Sequence, residues 1–160
     1  MIQTTDINEL LEEAASELKR ADHLVFVSLK YTRTVDVIRS VIERLINAFD
    51  IGSIVLLEDA KKKGLIKEYP NIIGPRIELM MKMLSYEQEL MEMLNLFVLL
   101  RKLSKAGYTR MEEYRRHVRM IATIDTGEVM EVKIDTVKEY YEKGIQFVNI
   151  IKARVSEKKE

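Results

Sequence analysis

The sequence predicts an all-α fold: an up-and-down four-helix bundle of long helices, with a small β-hairpin between a short fourth helix and the last one. Three observations carry that expectation. Apolar residues recur at three- and four-residue steps over most of the chain, which is the period of one helix face. Proline and glycine sit at a few positions that divide those periodic runs. One stretch, after His117, alternates with period two around a turn signal. No repeat or linker interrupts the chain, so residues 1–160 read as a single domain.

The first helix opens at Asp6, with Glu9 completing a capping pair, and carries Ile7, Leu10, Leu11, Ala14, Ala15, Leu18, Ala21 and Val25 on one stripe. It extends toward Tyr31, although the β-branched run His23 to Leu29 leaves its second half open to another conformation. A second helix opens at Thr34, with Val35, Ile38, Val41, Ile42, Leu45, Ile46 and Phe49 facing inward. It closes at Lys61, Lys62 and Lys63 before Gly64, because cations suit the carbonyl end and glycine the left-handed cap. Leu65 to Gly74 reads as a loop. Pro75 fits the first position of a third helix running to about Ala106, with Gly107 as its stop. That helix is apolar almost all round from Leu90 to Leu100, the mark of a central helix or one covered by a partner subunit. Thr109 with Glu112 suggests a capping box and a short helix over Arg110 to His117. Val118, Met120, Ala122 and Ile124, then Met130, Val132 and Ile134, alternate about Asp125-Thr126-Gly127, a hairpin pattern. Asp135 caps the last helix, whose stripe is Val137, Tyr140, Tyr141, Ile145, Val148 and Ile151, and a charged tail from Ser156 to Glu160 frays.

Composition excludes several classes of function. The chain has no cysteine, which removes disulfides, thiolate metal sites and cysteine nucleophiles, and fits a reducing compartment. The first dozen residues turn acidic without a basic and then apolar leader, and no apolar run approaches the roughly 20 residues of a membrane span. A cytoplasmic protein with no membrane partner is the expectation. The 26 basic and 26 acidic residues cancel, so attraction to nucleic acid or an anionic surface has to be local. Abundant lysine and glutamate give a thermophile-like composition. Phosphate-binding glycine loops, nucleophile elbows and paired-histidine metal motifs are missing. The residues three before His23 and His117 are Arg20 and Tyr114, so neither histidine completes the Glu-x-x-His pair of a helical di-iron site. No cofactor is expected.

One locally basic region remains. Arg101, Lys102, Lys105, Arg110, Arg115, Arg116 and Arg119 stand against Glu112 and Glu113, with Tyr108 and Tyr114 among them. Guanidinium forks match phosphate geometry and tyrosine rings stack on bases, so Arg101, Lys105, Tyr114, Arg115, Arg116 and Arg119 are the candidate nucleic-acid-binding residues. The competing reading is an ordinary solvated helix end. Arg110 and His117, seven residues apart, would share a helix face. There the arginine would hold a phosphate and the imidazole would move a proton; otherwise His117 pairs with Glu113. Met80, Met81, Met83, Met91 and Met93 interleave with leucines and suit a core or dimer seam. His23, Asn47 and Asn95 fall among apolar residues and read as satisfied interior polar groups.

A long helical pair, then Thr109-Arg110-Met111-Glu112-Glu113-Tyr114-Arg115-Arg116-His117, then the helix from Val137-Lys138-Glu139-Tyr140-Tyr141 to Ile150-Ile151, resembles the HEPN (higher eukaryote and prokaryote nucleotide-binding) family. The resemblance implies a helical bundle that forms a homodimer and binds RNA or nucleotide. In catalytic members of that family, an Arg, four to six residues and a His at the dimer cleft make a metal-independent ribonuclease; others only bind. Arg110 and His117, with six residues between them, match that spacing, which would give Arg110 the phosphate contact and His117 the acid or base role. Where the family has a polar residue after the arginine, this chain has Met111. A non-enzymatic homo-oligomeric assembly protein, joined through the apolar third helix, is the alternative.

Overall fold

Asp6 accepts from the backbone N–H of Asn8 at 2.9 Å, and α1 (Ile7–His23) starts where the sequence places its cap. The computed structural model describes residues 6–156; residues 1–5, and residues 157–160 of the tail expected to fray, lie outside the described residues. The β-branched run after α1 stays helical but widens into a π-helical turn, Leu24–Ser28, before a last α turn, α2 (Leu29–Tyr31). The buried residues Ala21, Val25 and Leu29 are spaced by four, slightly more than one α turn. The wider turn absorbs that excess and keeps all three on the inner side.

Thr34 caps α3 (Val35–Lys62), its Oγ1 accepting from Val37 N–H at 3.3 Å, and Gly64 closes it at φ 79° as the sequence predicts. α3 is the central element. It packs on α1, on α4 (Ile73–Met83), on α5 (Gln88–Lys105) and on α6 (Ile134–Ser156). Phe49 sits at the middle of the core, with ring centroids 5.5 Å from Phe97 of α5 and 4.8 Å from Phe147 of α6. Gly52 lets α6 approach, since a Cβ there would lie 2.9 Å from the Phe147 ring.

The expected third helix is two helices. α4 begins two residues before Pro75, and the chain turns at Leu84 to Glu87 before α5. Buried Leu84 and the bidentate pairing of Glu87 with Arg154 of α6 hold the turn, and that pairing draws the Glu87 carboxyl below its usual range. α5 is therefore not central. Leu90, Met93, Leu94, Phe97, Leu100 and Leu103 are buried, whereas Met91, Leu96, Val98 and Leu99 are half-buried and Asn95 is exposed.

The short helix expected over Arg110 to His117 is absent. Gly107–Met111 is strand β1, which pairs antiparallel with β2 (Arg119–Thr123), and β2 pairs with β3 (Val129–Lys133) in the order β1-β2-β3. The sheet thus has one strand more than the hairpin pattern predicts. Asp125-Thr126-Gly127 does make the β2–β3 turn, with Gly127 at φ 90°. Thr109 and Glu112 look like a capping box, yet the ladder from Gly107↔Thr123 to Met111↔Arg119 supplies the backbone bonds a helix would have made internally. α6 starts at Ile134, so Asp135 lies inside its first turn rather than capping it, and Thr136 Oγ1 accepts from Lys133 N–H at 3.1 Å. Gly144 and Phe147 join the predicted inner stripe, while Tyr140 and Ile145 are half-buried. The chain is mostly helical with a small three-stranded sheet. Among the described residues no helix is long and apolar enough to cross a membrane.

Candidate nucleic-acid interface

Strand alternation divides the basic segment between two faces of the sheet. Tyr108 and Arg110 stand opposite Ala122 and Met120, both fully buried, so they share the sheet face toward α3, where Tyr108 is half-buried and Arg110 stays partly exposed. Met111 and Arg119 face the other way, with Lys133 beside them. Arg110 and His117 do not share a helix face, and among the described residues no hydrogen bond or ion pair joins them.

Arg110 is engaged by carboxylates. Its Nη1 lies 3.0 Å from Asp36 Oδ1 and 3.3 Å from Glu113 Oε2, and its Nη2 donates to the Tyr108 hydroxyl at 3.3 Å. The Asp36 hydrogen bond leads in raising the Arg110 pKa above its ordinary value. Glu113 Oε2 also accepts from Val35 N–H at 2.9 Å, so this carboxylate serves as a second cap for α3 beside Thr34. The Arg39 guanidinium stacks 4.4 Å above the Tyr108 ring. Arg110 thereby clamps β1 and its loop onto the start of α3.

Between β1 and β2 the chain makes a tight loop with two non-glycine residues in the left-handed region, Glu112 at φ 54° and Tyr114 at φ 67°. Each such residue costs roughly 1–2 kcal/mol, and the loop's contacts hold it there. Glu112 accepts from Arg119 Nη1 at 2.9 Å, a bond that lowers its pKa, and Tyr114 N–H donates to Arg33 O at 2.6 Å. Arg119 also reaches Glu131 at 2.8 Å and the His117 carbonyl at 3.1 Å, so it is a tie across the outer face. What the loop leaves in solvent is Tyr114, 76% exposed, with Arg115, Arg116 and His117. Tyr31, 77% exposed, lies two residues before Arg33 on the segment the loop grips. Sequence reasoning passes over Tyr31, Arg33 and Asp36. Their segment meets the basic one through the Tyr114–Arg33 backbone bond, the Arg110–Asp36 pair and the Glu113 cap, all between residues far apart in the chain.

Arg101 and Lys105 occupy a different place. With Lys102 they line a groove of about 350 Å³ between the end of α5 and the start of β1, closed by Thr123 and Asp125. Lys102 pairs with Asp125 at 3.6 Å. Gly107 at the groove and Met111 at the loop are four strand residues apart, about 13 Å. His23, Asn47 and Asn95 are exposed rather than interior, because each falls on the solvent side of its helix. Among the described residues no group of three or more His, Cys, Asp or Glu is placed to hold a metal ion. No protein-family model, curated protein or solved structure matches the chain.

Proposed function

We propose that this protein binds single-stranded RNA or nucleotides through the Glu112–Val118 loop, and that it acts as a binder rather than a ribonuclease. The observation that supports this reading is the loop itself: two strained residues, held by Arg33, Arg119 and α3, present one aromatic ring and two arginines to solvent together. Tyr114 offers a face for base stacking, and Arg115 and Arg116 offer forks for phosphate. The groove at Arg101 and Lys105, about 13 Å along β1, would take the next stretch of backbone. Binding is favoured over cleavage because Arg110, the phosphate contact that the HEPN resemblance implies, is already paired with Asp36 and Glu113.

The test is fluorescence anisotropy with a labelled single-stranded RNA across a salt series. Arg115→Ala with Arg116→Ala is expected to weaken binding and to reduce the magnitude of the salt slope by about 1.4, roughly 0.7 for each phosphate no longer neutralised. Binding that is insensitive to both substitutions overturns the reading. RNA cleaved by the wild-type protein and spared by His117→Ala would restore the catalytic alternative.

One observation favours a second reading, a homo-oligomer. The outer face of α5 keeps Met91, Val98 and Leu99 only half-covered around the exposed Asn95, with Glu92 toward one end and Lys102 toward the other. Two such faces in antiparallel contact would match apolar to apolar and acid to base. Light scattering that shows a monomer at micromolar concentration removes this reading.

A further inference from the structure

A second cationic cleft lies away from the loop, between α1 and α3. Ser16, Lys19, Arg20 and His23 stand at positions i, i+3, i+4 and i+7 of α1, so they share one face of that helix. Arg44 of α3 faces them, and Leu24, the first residue of the π-helical turn, adds an apolar wall to a cleft of about 470 Å³.

Glu17 explains why two guanidinium groups sit side by side here. Its carboxylate is mostly buried and accepts from Arg20 Nη1 at 3.0 Å, from Arg44 Nη1 at 3.3 Å and from Asn47 Nδ2 at 3.3 Å. Each guanidinium carries five N–H donors and spends one on Glu17, so most of the fork on both arginines is left for another acceptor. Lys19, Arg20 and Arg44 contribute three positive charges and Glu17 one negative, leaving a surplus of two before the imidazole is counted. Among the described residues no other carboxylate lines the cleft. A buried acid holds the arginines in position without cancelling them.

We infer that this cleft is a binding site for a phosphomonoester with a small ring-bearing body. The dianionic phosphate lies between Arg20 and Arg44, Lys19 closes over it, the Ser16 hydroxyl donates to it, and the body packs on Leu24 and the His23 ring. A free mononucleotide and the 5′-phosphorylated end of an RNA carry the same group. This site stands apart from the RNA-binding loop and does not depend on it.

The experiment is amide-shift titration of the isotope-labelled full chain with adenosine monophosphate, adenosine and inorganic phosphate, followed by two RNAs of one sequence that differ only in a 5′-phosphate. Adenosine monophosphate is expected to shift residues 16–24 and 44 and to bind there more tightly than inorganic phosphate, and adenosine is expected to leave those residues unshifted. Lys19 is exposed and its ammonium bonds to no other described residue, so Lys19→Gln should fold normally and weaken adenosine monophosphate about tenfold. Arg44→Lys, which keeps the charge and loses the fork, should weaken it too. Arg116→Ala should leave the adenosine monophosphate shifts of residues 16–24 and 44 unchanged whatever it does to those of residues 112–118, which separates failure here from failure of the loop. A preference for 5′-phosphorylated RNA identifies the RNA end as a source of the ligand, and equal binding of both RNAs assigns the cleft to the free ester. No shift at residues 16–24 and 44, an equal effect of adenosine on those residues, or an affinity at them unchanged in Lys19→Gln would overturn the inference.

Discussion

The central helix α3 and the Glu112–Val118 loop are held in order by opposite means. α3 carries its order in its own residues: a Thr34 cap, a continuous apolar stripe and a lysine-glycine end, with packing on nearly every side. The loop carries little of its own. Its left-handed residues are unfavourable in isolation, and it is held from outside by Arg33, Val35 and Arg119. A surface that must keep the same side chains exposed can be made rigid in this second way, because distant partners leave the exposed side chains free to contact something else.

Substitutions can break this contrast, and the largest effect belongs to the core. Phe49→Ala removes a fully buried ring that touches both Phe97 and Phe147, and should cost about 4 kcal/mol in denaturant unfolding. Glu113→Ala withdraws a cap from α3 and a partner from Arg110, so a loss of about 1 kcal/mol is expected. A change near zero would mean that Thr34 alone secures the helix start. Arg115→Ala with Arg116→Ala should leave stability within about 0.5 kcal/mol while RNA affinity falls, which separates the role of the loop from its support.

The far end of α3 sharpens the contrast through pH. The Tyr69 hydroxyl donates to Glu58 Oε1 at 3.0 Å, and burial, followed by that hydrogen bond, pushes its pKa up from 10.0 to about 12. The folded chain therefore holds this proton more firmly than the unfolded chain does. Its contribution to stability is complete below pH 10.0 and is lost as the pH rises toward 12. Tyr141, which is raised by burial and by its bond to Asp22, adds to the same alkaline loss. Tyr69→Phe should flatten the fall of unfolding free energy across that window; an unchanged slope would show that folding does not raise the Tyr69 pKa.

The boundaries that proved legible are those whose cause is local. Asp6 and Thr34 cap helices with their own side chains, Gly64 and Gly127 take positive φ, and the stripe of α3 is buried nearly as predicted. The errors share a remote cause. The break at Leu84 to Glu87 contains neither glycine nor proline and is stabilised by Arg154, 67 residues away. The segment from Arg110 to His117 has helix-like signals, but β2 captures its first part as a strand and α3 takes its Glu113. The candidate site follows the same rule: which residues are basic or aromatic is readable, and which of them point outward is not.

By itself the sequence determined a mostly helical chain, its main caps and turns, and the one region dense in arginine, because propensity, capping and periodicity act over a few residues. Only the tertiary structure decided that Arg110 turns to two carboxylates, that Arg119 becomes a tie, and that Tyr114, Arg115 and Arg116 stay in solvent. The direction of a side chain in a strand or a strained loop depends on register with a partner strand, and that register is set by contacts far along the chain.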